Sequence, residues 1–389
     1  MSNSEPDGSS VSPNNQQIDQ LTQFGLDDDS RERFNRILSS NDGLVPGRIG
    51  RVDGISNYVH CGDIDYRAVS TFARIAHDDE FEIEPVQPTV GDWVLVRPDL
   101  QTERHEIELV LPRKSLLKRK RAMRGDEEGD NQLLAANIDT VFIAQSASYL
   151  NGSRLERELA VVWDSGARPV VVLTKSDIVT QDEMDEALDE LLTIALDVEV
   201  IPVSGITGTG THALQPFLQP GQTVVLLGAS GVGKSTLVNH MMGEEVMDTG
   251  EIRESDTRGR HTTTTRQLLS LPSGAALIDT PGIRSIGLSS GSEEALLKTF
   301  SEVEQYLGKC RFRDCGHSGE PGCAIGEAIE AGDLIAERFD SYKRMLREIE
   351  FEQTKNDPAV KTEQQIRMKK IARSHRQKSK FEKRQQRRD

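Results

Sequence analysis

Hydrophobic and polar positions divide the first third of the chain into two stretches. Residues 1–44 are rich in Ser, Asn, Gln and Asp, a composition that predicts a disordered start. Residues 45–113 carry short β-like runs separated by Gly, Asp and Pro, which indicates about five strands. That number suits a small OB-fold barrel, and an SH3-like barrel is the alternative. The predicted strands are residues 48–52, 58–61, 66–72, 93–96 and 107–111.

The spacing changes near residue 137, where apolar strands begin to alternate with amphipathic helices. Alternation of this kind predicts a parallel sheet covered by helices, with ligand loops at the carboxyl ends of the strands. We assign residues 114–287 to this α/β domain. Its predicted strands are residues 140–144, 170–173, 198–202, 223–227 and 275–278, and its predicted helices are residues 154–165, 183–195 and 235–242.

Charge is distributed unevenly. The chain carries a net charge of −16, yet residues 361–389 hold 12 Lys and Arg against three Asp and Glu. We therefore predict a basic tail over residues 351–389 that contacts a polyanion. Residues 113–124 add seven basic side chains and no acid. They form either a solvated linker or an extension of a nucleic-acid-binding face on the barrel.

The expected compartment follows from what the sequence lacks. No run approaches the length of a transmembrane helix, and the first residues have neither the basic flank nor the apolar core of a signal peptide. Four cysteines, three of them close together, do not suggest a disulfide framework. We expect a cytoplasmic protein.

A phosphate-binding loop follows one of the predicted strands. Residues 228–236 read GASGVGKST, a full match to G-x-x-x-x-G-K-[ST] between a strand and a helix. Lys234 is expected to neutralise the β- and γ-phosphates, and the Ser235 hydroxyl to bind Mg²⁺. The residues predicted to bind the phosphates are Gly228, Ala229, Ser230, Gly231, Val232, Gly233, Lys234, Ser235 and Thr236.

Two further motifs complete the phosphate side. Residues 279–282 (DTPG) end a predicted strand, so that Asp279 can serve Mg²⁺ and the Gly282 amide can reach the γ-phosphate. Residues 259–266 (GRHTTTTR) resemble a switch segment whose threonine coordinates Mg²⁺. We take Thr263 as the candidate, although four consecutive threonines supply the same group.

A base-reading motif precedes the phosphate loop. Thr174, Lys175, Ser176 and Asp177 (TKSD) end a buried strand, and Asp177 can accept two hydrogen bonds from guanine. Ser204 lies in VSG after the next strand, where a backbone amide can contact guanine O6. Ordinary GTPases carry the phosphate loop first. The reversed order therefore predicts a circularly permuted GTPase that hydrolyses GTP.

Catalysis is the least defined step. Ile283 stands after DTPG, where a water-orienting glutamine is found in Ras-type enzymes, and it cannot bind water. His261 is the candidate catalytic residue, and a partner is expected to accelerate slow intrinsic hydrolysis. A P-loop metabolic kinase is one alternative function, but the sequence offers no second substrate pocket. A nucleic-acid-binding protein whose nucleotide domain only senses its ligand is the other.

Residues 288–350 contain a cluster of metal-ligand side chains. Cys310, Cys315, His317 and Cys323 supply three thiolates and one imidazole, a set that suits one structural, tetrahedral Zn²⁺. Buried free cysteines with an incidental histidine are the alternative. Cys61 has no neighbouring cysteine and is interpreted as a small core residue.

Together these motifs resemble those of the ribosome small-subunit-dependent GTPases, the RsgA/YjeQ family. TKSD, VSG, GASGVGKST, GRHTTTT, DTPGIR and CRFRDCGHSGEPGCAI occur in the family order, and the resemblance extends from about residue 47 to about residue 350. It implies an OB-fold barrel, a permuted GTPase domain and a zinc-binding, α-helical domain. It also implies late assembly of the small ribosomal subunit as the function, GTP, Mg²⁺, the subunit and its rRNA as ligands, and hydrolysis that the subunit stimulates and that accompanies release. A monomer is expected.

Overall fold

The computed structural model describes residues 13–71, 73–77, 80–81, 86–99, 101–120, 131–247, 266–279 and 293–356. Its α-helices are α1 Pro13–Gln20, α2 Asp28–Leu38, α3 Gly152–Ser165, α4 Gln181–Ile194, α5 Lys234–Met242, α6 Glu293–Thr299, α7 Ser301–Glu304, α8 Ala324–Ala331 and α9 Ala336–Asn356, with 3₁₀ turns at Leu21–Phe24 and Thr211–Phe217. Two compact units are present. The first comprises residues 1–287 with 298–301, and the second comprises residues 288–297 with 302–389.

Most strands of the first unit belong to one continuous sheet. The strands are β1 Val45–Asp53, β2 Ser56–His60, β3 Asp65–Val69, β4 Arg74–His77, β5 Glu80–Phe81, β6 Trp93–Arg97, β7 His105–Val110, β8 Leu116–Lys120, β9 Asn131–Ala136, β10 Thr140–Ser146, β11 Arg168–Thr174, β12 Glu199–Pro202, β13 Thr223–Gly228, β14 Gln267–Ser270 and β15 Ala276–Asp279. Only β8 and β9 form a separate two-stranded sheet within the described ranges.

Five strands close into a barrel, namely β1, β2, β3, β6 and β7. Strand β1 pairs with β2, β2 with β3, β3 with β7, β7 with β6, and β6 again with β1. The β3–β7 contact is parallel, whereas the others are antiparallel. Ile49, Val59, Val94 and Ile107 fill the interior. This five-stranded closed ring is the expected OB-fold barrel.

The predicted disorder of residues 1–44 is wrong for the described residues from 13 onward. Helix α2 begins at the cap Asp27, whose side chain accepts from the Ser30 amide at 2.8 Å. Phe34 is fully buried and meets Trp93 of the barrel edge-on at 5.9 Å between ring centroids. A short amphipathic helix needs only a few buried side chains to dock. The overall composition of this segment therefore remains polar although its helices carry a narrow apolar stripe.

The α/β domain has the predicted parallel sheet. Its order is β12-β11-β10-β13-β15-β14, and only β14 at its edge runs antiparallel to its neighbour. Strand β14 also pairs antiparallel with β1 of the barrel, at Gln267 and Arg51. The barrel therefore continues the sheet of the α/β domain. Strand β14 was not predicted, because four residues give little periodicity even though a Pro-Ser-Gly turn follows them.

The structure describes the basic run at residues 113–124 as far as residue 120. Its described part includes β8, which pairs antiparallel with β9, and Leu117 is fully buried. The linker interpretation is therefore wrong for this part, whereas binding of nucleic acid by the run stays a prediction. In the parts of the chain that the structure describes, no helix is long and apolar enough to cross a membrane.

The second unit contains the cysteine cluster followed by two helices. Helix α8 begins after Cys323, which caps it by accepting from the Gly326 amide. Helix α9 runs to Asn356, so the first residues of the predicted tail continue a helix. The guanidinium of Arg338 is buried and pairs with Glu302 at 2.7 Å. Residues 357–389, most of the predicted basic tail, lie outside the described residues.

Candidate nucleotide site and metal centre

The phosphate loop and the base-reading motif meet at one edge of the sheet. Strand β13 ends at Gly228, β11 ends at Thr174, and β10 lies between them in parallel register with both. Because parallel strands present their carboxyl ends at the same edge, residues 228–236 and 174–177 lie side by side. The permuted chain order thus produces one continuous site.

The loop backbone has the conformation that a phosphate cradle requires. Gly228, Gly231 and Gly233 have φ values of 139°, 75° and 101°, where residues with a β-carbon are strained. A β-carbon at Gly228 would also lie 2.5 Å from the Ala144 carbonyl oxygen. Helix α5 begins at Lys234 without a side-chain cap, so its first amides can bind an anion.

Lys234 points back over this loop. Its ammonium donates to the carbonyl oxygens of Gly228 at 3.0 Å and Ala229 at 2.7 Å. Burial lowers the pKa of Lys234, and the positive charge of Arg154 adds to that effect, whereas Asp279 and Glu158 oppose it. The lysine is therefore a desolvated cation near two carboxylates, at the position predicted to neutralise phosphate charge.

A buried carboxylate lies beside the loop and was not predicted from the sequence. Glu158 on α3 is 2% exposed, and it accepts from Arg154 at 2.8 Å and from the Gln145 amide at 3.2 Å. Burial raises the pKa of Glu158, although Arg154, Lys234 and Gln145 oppose the shift. The available signal was an Arg–Glu pair with i,i+4 spacing whose acid falls on the apolar face of a helix.

The base-reading loop is fixed by its own backbone. Lys175 has a φ of 61°, and the Ser176 amide donates to Val203 O at 3.2 Å. Ser204 is fully buried, and its hydroxyl accepts from the Ile206 and Thr207 amides at 3.2 and 3.0 Å. This turn holds VSG beside TKSD.

Thr174 joins the two loops. Its hydroxyl oxygen lies 2.5 Å from the carbonyl oxygen of Val232 in the phosphate loop and 2.9 Å from that of Gln145. The side chain is buried, and one proton serves both acceptors. The Thr174 side chain thus links the base-reading loop to the phosphate loop.

The structure describes some of the remaining predicted site residues and not others. Asp177 is exposed at the mouth of the base-reading loop, and Asp279 ends β15 beside the strand of the phosphate loop. Ser235 and Thr236 lie in the first turn of α5. Gly282, His261, Ile283 and Thr263 lie outside the described residues.

The four metal-ligand side chains of the second unit converge. Their ligand atoms all lie within 4.8 Å of one another. The sulfurs of Cys310 and Cys323 are 4.0 Å apart, and each lies 3.4 to 3.5 Å from His317 Nδ1. A tetrahedral zinc ion needs separations of about 3.8 Å between sulfurs and about 3.6 Å between sulfur and nitrogen. Cys310, Cys323 and His317 thus lie close to tetrahedral separations, and with Cys315 the four donors lie near enough together to hold a metal ion.

The loop that carries these ligands is pre-formed by polar contacts. The carboxylate of Glu320 accepts from the Gly316 amide at 3.0 Å and from the Ser318 amide at 2.6 Å. His317 has a φ of 53°, in the left-handed region. The neighbouring Gly316 and Ser318 amides fix the backbone on both sides of His317. The strained backbone of His317 orients its ring toward the cysteines, and strain of this kind is found at functional sites.

The fold and the site define a circularly permuted P-loop GTP hydrolase with a barrel and a metal-binding helical unit. A sequence model of the RsgA GTPase family matches residues 110–289. The small ribosomal subunit biogenesis GTPase RsgA of Methanosarcina acetivorans is 45% identical over 287 residues, covering 74% of this chain and 76% of that protein. The protein of the same name from Streptomyces coelicolor is 40% identical over 346 residues, covering 88% and 90%. The chain belongs to the RsgA GTPase family.

Solved structures share the fold. YjeQ from Thermotoga maritima aligns with a TM-score of 0.55 at 24% identity, covering 79% of this chain and 98% of that one. YloQ, described as a circularly permuted GTPase, aligns with a TM-score of 0.53 at 22% identity, covering 80% and 96%.

Proposed function

We propose that the protein hydrolyses GTP to GDP and phosphate on the small ribosomal subunit, as a late assembly factor whose hydrolysis the subunit stimulates and couples to release. The proposal that the protein binds GTP rests on the contact between Thr174 and Val232. This contact joins the base-reading loop and the phosphate loop into one site. The subunit part rests on the names of the relatives, small ribosomal subunit biogenesis GTPases. The protein then acts in the cytoplasm, as a monomer, on the subunit and its rRNA.

The nucleotide contacts divide between the two loops. Asp177 binds the guanine edge, the stem of Lys175 lies along the base, and the turn made by Ser204 presents an amide to O6. Lys234 and the loop amides bind the phosphates. The remaining GTP-binding residues are Thr174, Ser176, Gly228, Ala229, Ser230, Gly231, Val232, Gly233, Ser235, Thr236, Asp279 and Gly282.

Magnesium and zinc have separate roles. Mg²⁺ would be held by Ser235 and Thr263 near Asp279, where it neutralises charge that develops on the phosphates. The Cys310, Cys315, His317 and Cys323 set takes one Zn²⁺. All four ligand positions are protein side chains, so this zinc is structural rather than catalytic.

Hydrolysis needs a group that orients water. Ile283 cannot do so, and His261 is the candidate. We expect a slow intrinsic rate, since Ile283 stands where Ras-type enzymes carry the water-orienting glutamine, and acceleration by the bound subunit. Loss of stimulated turnover in His261→Ala, with GTP affinity retained, would support this role. Unchanged turnover would exclude it.

The decisive experiment measures phosphate release with and without purified small subunits. We expect GTP to be preferred over ATP, and turnover to rise when small subunits are added. A preference for ATP would contradict the base-reading assignment. If small subunits did not change GTP turnover, the proposed action on the ribosome would be contradicted, but the assignment as a GTPase would not.

A further inference from the structure

An aromatic ring stands exposed in the metal-binding loop. Phe312, between Cys310 and Cys315, keeps half of its surface in contact with solvent. Lys309, Arg311 and Arg313 surround it in sequence, and all three side chains are exposed. We call these four residues the Phe312 platform. An exposed ring among cations differs from the usual surface, where large apolar side chains stand among polar residues of both charges.

The platform is held at both ends. Its flanking cysteines belong to the four-residue metal-ligand cluster. The Arg311 amide donates to Gly322 O at 2.9 Å, and the Cys315 amide donates to Phe312 O at 3.4 Å. A ring on a fixed backbone loses little conformational entropy when it binds a partner. Such a site is therefore pre-organised.

The local charge favours an anionic partner. The guanidinium carbon of Arg311 lies 5.5 Å from the centre of the Phe312 ring, so the loop offers two planar groups together. Two acids lie in the loop. Asp314 is exposed, which sets three exposed cations against one exposed acid. Glu320 has both carboxylate oxygens engaged by backbone amides, so its negative charge is directed into the loop. The chain as a whole carries −16, which makes three exposed cations around one ring a distinct feature.

These properties match single-stranded RNA. Unpaired bases stack on aromatic rings and on guanidinium planes, while Lys and Arg bind the flanking phosphates. An apolar protein surface would match the ring but would bury the three cations without partners. We infer that the Phe312 platform stacks on an unpaired base of the ribosomal RNA and binds the adjoining phosphates. This inference rests on the proposed action on the small subunit and names the contact within it.

The test uses the full chain with its metal and purified small subunits. Phe312→Ala is expected to weaken subunit binding roughly 5- to 150-fold, the range for loss of one base–aromatic stack. Phe312→Trp should retain affinity, whereas Phe312→Leu, which is apolar but not planar, should not. Phe351→Ala is the matched control, because Phe351 is 57% exposed but is flanked by Glu350 and Glu352. It should bind as wild type does.

A second pair of changes tests the cations. Replacing Arg311 and Arg313 by Gln should reduce the dependence of affinity on salt, since fewer phosphates are neutralised. Metal content measured on each variant shows whether the loop is intact, and ultraviolet cross-linking identifies what the platform touches. Cross-links from the Phe312 peptide to rRNA would support the inference.

The outcomes separate the two proposals. Wild-type protein that fails to bind small subunits would overturn the proposed function. Wild-type binding that Phe312→Ala leaves unchanged, with metal content intact, would overturn only the platform. Equal binding by the Leu and Trp variants, with cross-links to ribosomal protein, would show a protein partner and also overturn it.

Discussion

The hydroxyl of Thr174 lies 2.5 Å from the carbonyl oxygen of Val232, and this contact spans the base-reading loop and the phosphate loop. Thr174 ends β11, Val232 lies in the loop after β13, and β10 lies between these two strands. Side-chain contact across an intervening strand requires both loops to bend toward each other over its end. The positive φ values of Lys175 and Gly233 provide that bend.

Thr174→Val should weaken GTP binding about 2- to 12-fold. The substitution keeps the shape but removes the donor, and one buried hydrogen bond contributes about 0.5–1.5 kcal/mol. Thr174→Ser should retain most of the affinity. Thr193→Val is the control, since its hydroxyl bonds a carbonyl on the exposed side of α4. Nucleotide titration by fluorescence measures all three, and equal affinities for wild type and Thr174→Val would contradict a role for the contact.

Asp177→Asn should exchange guanine for xanthine specificity. The exposed carboxylate of Asp177 is proposed to accept two hydrogen bonds from guanine, and an amide would pair instead with the oxygen that xanthine carries. We expect GTP affinity to fall at least tenfold and xanthosine triphosphate to bind better than GTP. Competition between the two nucleotides decides the matter. A variant that still prefers GTP would place the base reader elsewhere.

Arg48 holds the barrel to the α/β domain, and its loss should destabilise both. The fully buried guanidinium donates to Gly91 O, Asn137 O, Phe24 O and Thr223 Oγ1, and it lies 4.4 Å from the centre of the Trp93 ring. Burial lowers its pKa to about 10, although three nearby aspartates oppose the shift. The guanidinium thus stays charged at neutral pH.

Arg48→Met should lower the free energy of unfolding by about 3–5 kcal/mol, because it leaves buried acceptors unpaired. Arg97→Met removes an exposed pair with Glu108 and should cost less than about 1 kcal/mol. Urea unfolding followed by tryptophan fluorescence compares them. Similar losses in the two variants would mean that Arg48 is not the link.

Asp27 should make stability fall in acid. Burial opposes its ionisation, but Lys114 at 2.8 Å and the Ser30 amide outweigh burial and hold its pKa below the ordinary value of 3.8. A depressed carboxylate pKa stabilises the fold above pH 3.8, and this contribution is lost as the pH falls through the lower folded value. Asp27→Asn keeps a helix cap but lacks the charge. Its stability deficit relative to wild type should therefore shrink as the pH is lowered from 6 to 3, and a constant deficit would contradict the assignment.

The motifs predicted the arrangement of the nucleotide site because each motif occurs at a defined place in the fold, directly after a strand of the sheet. The glycine-rich loop follows β13 and TKSD follows β11, and these strands lie on either side of β10 in the sheet. Because the strands are parallel, the two motifs can meet only at the carboxyl edge of the sheet. Glu158 could be predicted only in part: its i,i+4 pairing with Arg154 on α3 is visible in the sequence, whereas its contact with Gln145 of β10 is a tertiary contact. Helices α1 and α2 were missed because docking on Trp93 stabilises them, and composition does not report tertiary contacts.

Removal of the metal should unfold the second unit and spare the first. The four ligands come from one loop, and binding free energy of about 10 kcal/mol or more at such sites is also folding free energy. We expect one zinc per chain in wild type and none in Cys315→Ser, with reduced helical signal but retained GTP binding. Cys61→Ala, which changes the buried cysteine of the barrel, should keep the zinc. A Cys315→Ser protein with full zinc and full helical content would contradict the site, because a three-ligand remainder cannot close a structural tetrahedron.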